Sequence, residues 1–233
     1  RSAREQRKKS ISHSEVRRRA AQESGLVGGP AGRWRTSPPT HVVVAASGPS
    51  LTQADLNLVR DKAKVIVVNA SYKLAPWADV LYAADHNFWR VYMPDIRRVK
   101  FGGEMWSVSE QAQQQFGTYW IRHGRQQGYS DEPDVINGGG NSGYQAIHLA
   151  AKFGAQRITL LGFDMQRTHG REHWHGKHDG KLANGTGFAA WIRAMRSLAD
   201  DLAERGVVVV NASRTTALHC FQEQTLEDVL AYG

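Results

Sequence analysis

Short apolar runs rich in valine and isoleucine recur along this chain, and segments with helical spacing separate them. The runs lie at residues 41–46, 65–69, 80–85, 157–164 and 207–211. Strands of a parallel sheet are buried on both faces, so they are continuous apolar runs, whereas strands with one solvated face alternate. The pattern therefore predicts an α/β fold, a Rossmann-like, mostly parallel sheet with helices on both faces.

Helix boundary signals fall between these runs. Thr52 is a favourable N-cap for a helix that follows the first run. Two later helices are predicted at residues 144–153 and 187–204, because Gly154 and Gly206 stand where helices commonly end. These helices supply the layers that a parallel sheet needs on its faces.

Two segments are polar and have weak periodicity. Within residues 91–134 we predict a strand only around residues 118–121. Residues 165–185 form a second polar stretch, which is rich in histidine. We expect these two lid-like segments, about 91–134 and 165–185, to form a smaller polar insert or lid on a single domain.

The excess of basic residues precedes the first apolar run. Residues 1–38 contain 10 Lys or Arg against 3 Glu, whereas residues 39–233 contain 20 basic and 19 acidic residues. We therefore divide the chain into a basic, flexible N-terminal tail at 1–38 and one Rossmann-like domain at 39–233. The charge of the tail also suits contact with nucleic acid.

The distribution of apolar residues and the cysteine content indicate where the protein is located and whether a cysteine is its nucleophile. No apolar run approaches the roughly 18 residues of a membrane helix, and the first residues lack the apolar segment of a secretory signal. We expect a cytoplasmic protein with no membrane span. Cys220 is the single cysteine, and its apolar neighbours predict a small buried residue rather than a nucleophile.

Polar residues follow the apolar runs where strands are predicted to end. They are Ser47, Gly48, Pro49 and Ser50 after the first run, and then Asn69, Asp85, Asp164 and Asn211 after later runs. In an open parallel sheet, ligands bind beyond the carboxyl ends of the strands. Residues of these types also cap turns, but their recurrence at strand ends favours a binding site at this edge of the sheet.

A glycine-rich stretch at residues 138–140 precedes a predicted helix. Gly140, Asn141, Ser142 and Gly143 would place backbone N–H groups at the positive end of that helix, which is a suitable cradle for a phosphate. A flexible turn with Ser142 as the helix N-cap is an equal interpretation. Neither the dinucleotide fingerprint nor the Walker loop is present in the sequence.

Histidines cluster in the loop after residue 164. His169, His173, His175 and His178 lie within a few residues of one another. One of them is a candidate general base for an acceptor hydroxyl, because histidine titrates near neutral pH. A metal site formed by His173, His175 and His178 with Asp164 or Asp179 is the alternative, and surface or structural roles are a third.

Three blocks of the sequence resemble the bacterial lipooligosaccharide sialyltransferases and the related motility-associated glycosyltransferase and pterin-pyrophosphokinase-like group. Residues 43–51 are similar to that family's first strand and Gly-Pro-Ser-Leu loop, and residues 67–69 to its second strand with a nucleotide-contacting Asn. Residues 141–150, Gly154 and residues 158–165 are similar to its Ser-Gly helix, glycine turn and Gly-Ile-Asp strand.

The resemblance implies a glycosyltransferase that moves a sugar from a nucleotide-activated donor to an acceptor hydroxyl by direct displacement. Ser47, Gly48, Asn69, Asp85, Ser142 and Gly143 would line the nucleotide pocket. A loop histidine would be the base, with His178 preferred over His175. The family works without bound metal, so no cofactor is expected to be required, although Mg²⁺ remains possible. The acceptor would be a glycan or a modified nucleic acid.

Three other interpretations remain open. A diphosphate transferase would hold Mg²⁺ between carboxylates such as Asp85 and Asp164. A DNA-associated enzyme would bind DNA through the tail and modify a base or a hydroxymethylated base. A non-enzymatic module is also compatible with the fold, because a fold does not fix an activity.

Overall fold

The structure, a computed structural model, describes residues 39–124, 126–176 and 187–231. The predicted tail at 1–38 lies outside the described residues. The described elements are, in chain order, β1 (His41–Ala45), α1 (Gln53–Val59), β2 (Lys64–Val68), a 3₁₀ helix (Asn69–Lys73), β3 (Val80–Tyr82), α2 (His86–Arg98), β4 (Glu104–Ser107), α3 (Glu110–Phe116), β5 (Tyr119–Trp120), β6 (Arg122–Gly124), β7 (Val135–Asn137), α4 (Ser142–Lys152), β8 (Arg157–Leu161), α5 (Phe188–Glu204), β9 (Val208–Asn211), β10 (Gln222–Glu223) and α6 (Leu226–Ala231).

One eight-stranded sheet organises the domain. Its strand order is β10-β9-β8-β1-β2-β3-β4-β5, and each neighbouring pair is parallel. The central strand β1 pairs along its length with β2 on one side and with β8 on the other. Strands β6 and β7 form a separate parallel pair. The prediction of a Rossmann-like parallel sheet is confirmed.

Alternate side chains of the strands build two cores on opposite faces of the sheet. Val42 and Val44 of β1 pack with α4 and α5, and Val43 and Ala45 pack with α1, α2 and α6. Side chains in a strand point alternately to the two faces, so a strand buried on both sides is apolar at nearly every position. This arrangement confirms the predicted layers of helices on both faces.

The predicted helix ends are confirmed where the structure describes them. The Thr52 hydroxyl accepts the backbone N–H of Asp55, and the Asp55 side chain accepts the backbone N–H of Thr52, which makes a capping box at α1. Gly154 and Gly206 follow α4 and α5 with positive φ angles of 91° and 70°. Among the described residues, no helix has the length and apolar character needed to cross a bilayer.

The segment at 91–134 differs from the lid-like insert that we predicted. It contains the end of α2 and the whole of β4, α3 and β5, and β4 and β5 are hydrogen-bonded members of the main sheet. Trp106 of β4 is 2% exposed and packs against Tyr119 and Phe153. Strands β4 and β5 are short and lack the long apolar run of the central strands. Burial of a few aromatic side chains stabilises them instead.

Candidate ligand-binding site

The strand order places a topological switch point between β1 and β8. From β1 the chain moves outward through β2 to β5, then returns to β8 on the other side of β1 and continues to β9 and β10. The loop after β1 leads to α1 on one face, and the loop after β8 leads to α5 on the opposite face. In open parallel sheets, a divergence of this kind forms the crevice in which ligands bind, at the carboxyl edge of the sheet. The crevice is the candidate binding site of the domain.

The buried carboxylate of Asp164 joins the two loops. Ser50 donates to it from its backbone N–H at 3.0 Å and from its hydroxyl at 2.6 Å, and the Thr168 hydroxyl donates at 2.8 Å. Burial raises the pKa of Asp164, and these hydrogen bonds oppose the rise. Asp164 is 1% exposed. It therefore holds the loop after β1 against the loop after β8, and its oxygens are already bonded within the protein.

Gly48 is required by the close approach of these two loops. Its backbone N–H donates to the carbonyl of Gly162 at 2.8 Å. A Cβ at this position would lie 2.2 Å from an Asp164 carboxylate oxygen and 2.4 Å from the Gly162 carbonyl oxygen. Pro49 and Ser50 then form the turn that leads into α1. The Ser-Gly-Pro-Ser loop is thus shaped by contact with the strand end beside it.

A serine–histidine contact lies at the switch point. The Ser47 hydroxyl oxygen is 3.0 Å from Nδ1 of His173, although these residues are 126 positions apart in the chain. Burial lowers the pKa of His173, while the negative charge of Glu172 and a hydrogen bond to Ser47 oppose the decrease. The imidazole is therefore neutral near pH 7 and able to accept a proton.

Trp174 fixes the histidine-rich loop over the ends of β1 and β2. Its backbone N–H donates to the Ser47 carbonyl at 3.0 Å, and its indole N–H donates to the Ser71 hydroxyl at 3.2 Å. Ser71 donates in turn to the carbonyl of Ala46 at 2.8 Å. The described part of the 165–185 segment thus contacts the loops at the carboxyl edge.

The other predicted histidines have different placements. The ring of His175 stacks on that of His173, with centroids 5.2 Å apart and planes at 3°. His169 is exposed and has a positive φ of 51°. His178 and Asp179 lie outside the described residues. Within the described ranges, no group of three or more His, Cys, Asp or Glu side chains is arranged to hold a metal ion.

Asn69 follows the last residue of β2, at the carboxyl edge of the sheet. Its φ is 51°, a left-handed conformation that asparagine tolerates better than most residues. It is half-buried, and its amide has no hydrogen-bond partner among the described residues. Asp85 lies farther along the same edge, beyond β3. Asp85 is exposed and occupies the N-cap position of α2 without a side-chain capping bond.

The start of α4 approaches the switch point from the opposite face. Gly139 and Gly140 have φ angles of 57° and 81°, and a Cβ on Gly143 would lie 2.9 Å from the Phe163 ring in the loop after β8. Asn141 is the N-cap, and its side-chain Oδ1 accepts the Tyr144 backbone N–H at 2.9 Å.

The interpretation of Ser142 as the N-cap of α4 is wrong, because Asn141 occupies that position and Ser142 is the first residue of the helix. The Asn141 amide nitrogen is buried and has no hydrogen-bond partner within the described ranges. Gly140, Asn141, Ser142 and Gly143 thus bring a helix N-terminus and a donor without a partner towards the loop that carries Asp164.

Three residues that contribute to this site were not singled out in the sequence. They are Trp174, Ser71 and Thr168, and each acts by holding a loop in place. A tryptophan in an otherwise polar loop was a usable signal, because a large aromatic side chain in such a loop needs a surface to cover. Ser71 and Thr168 have no comparable signal in the sequence.

Cys220 and Asn211 have structural roles. Cys220 is half-buried, and burial raises the pKa of its thiol to about 11, which leaves it protonated and unreactive at neutral pH. Asn211 is 1% exposed and folds the turn after β9 through bonds to Thr216, Leu218 and Ser213.

No protein-family model matches the chain, and comparisons with curated proteins and with solved structures give no significant match.

Proposed function

We propose that this domain is a nucleotide-sugar-dependent glycosyltransferase whose reaction takes place at the switch point between β1 and β8. The observation that carries the proposal is the contact between Ser47 and His173, at 3.0 Å, in the crevice where ligands of parallel sheets bind. This contact places a candidate base, His173, beside the Ser47 hydroxyl, which can donate and accept hydrogen bonds. The resemblance of the surrounding loops to sialyltransferase-like enzymes supports the same reaction class.

The polar groups around the crevice suit a nucleotide. The Asn69 amide can donate to and accept from a base or ribose, and it has no partner among the described residues. The N-terminus of α4 carries partial positive charge, and the buried Asn141 amide nitrogen adds a hydrogen-bond donor there. We assign the base and ribose to the Asn69 side of the crevice and the phosphates to the α4 side.

His173 is the proposed base. In the tautomer with the proton on Nδ1, that N–H donates to Ser47 and the lone pair lies on Nε2. Nε2 takes the proton from the acceptor hydroxyl as its oxygen forms a bond to the anomeric carbon. The bond from that carbon to the phosphate oxygen breaks, and the nucleotide leaves with the electron pair. The lowered pKa of His173 keeps it in the basic form at neutral pH.

Nucleotide titration tests the binding step. Calorimetry with CMP, UDP, GDP and ADP, each with Mg²⁺ and with EDTA, should give micromolar binding of one nucleotide that is insensitive to EDTA. Asn69→Gly should weaken it by about tenfold or more, because glycine keeps the left-handed backbone and removes only the amide. Asn57→Ala, an exposed asparagine on α1, is the control. Strict dependence on Mg²⁺ would favour diphosphate transfer, and no binding of any nucleotide would refute the proposal.

A base variant tests the chemical step. His173→Asn keeps a donor near the position of Nδ1 and removes the basic nitrogen. It should lower turnover of the matching nucleotide sugar by about 100-fold or more while nucleotide affinity stays constant. The rate of the unmodified protein should fall as pH drops through a pKa below 6.5. His169→Asn, at an exposed position in the same loop, should leave turnover unchanged, and equal losses in both variants would exclude His173 as the base.

A further inference from the structure

A pocket of about 470 Å³ opens at the carboxyl edge of the sheet, beyond β9 and β10. Its volume lies within the range of small-molecule sites, roughly 300–1,000 Å³. The start of α1, the turn after β9 and the start of α6 surround it. The polar side chains that line it include Asp55, Arg214, Glu223, Gln224 and Glu227, and Asn211, Ser213 and Thr225 also line it.

The turn after β9, which lines the pocket, is hydrogen-bonded to the loop after β8. The backbone N–H of Phe163, in the loop after β8, donates to the Ser213 hydroxyl at 2.8 Å, and the Thr216 hydroxyl donates to the Phe163 carbonyl at 2.7 Å. One wall of the pocket is therefore attached to the loop that carries Asp164. The strands between β1 and β10 are spaced about 4.8 Å apart, so the two sites are separated by on the order of 10–15 Å.

The charges of the pocket disfavour an anionic ligand. Arg214 bonds Asp55 through Nε at 3.1 Å and Nη2 at 2.6 Å, so its positive charge is balanced by a buried carboxylate. Glu223, whose Oε1 lies 2.6 Å from Nδ1 of His219, and Glu227 add two further exposed carboxylates at the rim. A phosphate or a phosphodiester backbone would meet these carboxylates and be repelled.

The hydrogen-bonding groups of the pocket favour hydroxyls. Nη1 of Arg214 takes no part in the bonds to Asp55, and the Gln224 and Glu227 side chains make no hydrogen bond within the described ranges. These groups include both donors and acceptors, and a hydroxyl group satisfies both kinds. Among the described residues that line the pocket, none has an aromatic ring, and Leu226 is the one large apolar side chain. A large apolar ligand would therefore leave the polar groups unpaired.

We propose that this pocket is the acceptor subsite of the domain and that it binds the terminal, hydroxyl-rich unit of a neutral glycan. Its role as an acceptor site rests on the proposed glycosyl transfer, whereas glycan binding does not depend on that reaction. The inference also separates the two acceptor classes, since the carboxylates at the rim favour a glycan over a nucleic acid.

Saturation-transfer NMR on the full chain tests the proposal, with methyl glycosides of glucose, galactose, mannose and N-acetylglucosamine as probes. The spectra are recorded with and without the nucleotide found by calorimetry. At least one glycoside should receive saturation from the protein. Glu227→Gln and Gln224→Ala should each reduce that signal by about fivefold or more. Glu110→Gln and Gln114→Ala, exposed positions on α3 near the opposite edge of the sheet, are matched controls.

The outcomes distinguish this inference from the proposed function. Glycoside binding that depends on Glu227 and Gln224, without any nucleotide binding, would retain the pocket and refute the transferase. Nucleotide binding with no glycoside signal in either state would overturn the pocket assignment, as would a signal that survives both pocket variants. If Gln224→Ala instead weakens binding of a short duplex DNA, the pocket serves nucleic acid and the glycan assignment is wrong. Circular dichroism of each variant verifies that it is folded.

Discussion

The buried histidine in the middle of α4 makes the stability of this domain sensitive to acid. His148 is fully buried, and the backbone N–H groups of Asn137 and Ser130 point at its ring nitrogens at 3.1 Å and 3.2 Å. A neutral imidazole has one lone pair for these two donors, and a protonated ring has none. Burial, followed by the charges of Lys152 and Arg205, lowers the pKa of His148 to about 3.

The size of the effect follows from the pKa difference. The unfolded chain has the ordinary histidine pKa of 6.5, so it gains a proton at a pH where the folded domain does not. A lowered pKa in the folded state means that stability is lost as pH falls from 6.5 towards 3. Each pH unit inside this window costs about 1.4 kcal/mol, so the loss is on the order of 3 kcal/mol at about pH 4.5 and on the order of 5 kcal/mol at full protonation.

Urea unfolding at a series of pH values measures this loss. His148→Gln removes the titration and keeps a polar group, and its constant cost cancels because only the change of stability with pH is compared. Between about pH 7 and pH 4.5, the unmodified domain should lose on the order of 3 kcal/mol more than the variant. The carboxylates and the other histidines titrate in both proteins, so their contributions cancel in the difference between the two stability curves. Parallel curves for the two proteins would refute the assignment of acid sensitivity to His148.

Two further predictions concern the loop after β1. Gly48→Ala should abolish nucleotide binding and lower stability by about 1–3 kcal/mol, because the new Cβ overlaps Asp164 and the Gly162 carbonyl. Calorimetry measures the binding and thermal melts measure the stability. The control Gly102→Ala, with no atom within 4 Å of its Cβ, should change neither quantity. Thr52→Ala should cost about 1 kcal/mol in urea unfolding through loss of the capping box, and a cost no larger than that of the exposed Thr215→Ala would contradict the cap.

The central part of the fold was predictable because both faces of its strands are buried. Apart from Thr159, the buried positions of β1, β2 and β8 are all apolar, so each strand is visible in the sequence without knowledge of its neighbours. Strand β4 is different. Its four residues, Glu104–Ser107, include two large apolar side chains, and Trp106 becomes a strand residue because β3 and the ring of Phe153 are beside it. Such a strand is determined by tertiary contacts that the local sequence does not contain.

The edge of the sheet at which the candidate site lies was also predictable, since parallel strands place their carboxyl ends together. The pairing within that edge was not. Ser47 and His173 are 126 positions apart, and Ser50 and Asp164 are 114 apart. Contacts at such separations depend on the order of strands in the sheet, and the order of β1 beside β8 follows from how the whole chain packs. The sequence therefore identifies candidate residues without identifying their partners.

Polar residues at the strand ends consequently divide into two groups with different expected behaviour. Asp164 and Asn211 are each 1% exposed and bond to neighbouring loops, so their loss leaves buried donors unpaired and should act on folding. Asn69 is half-buried with no partner among the described residues, so its loss should act on ligand binding. All three follow apolar runs, and the sequence alone cannot separate them. Their hydrogen-bond partners do, because a polar group already bonded within the protein has little capacity left for a ligand.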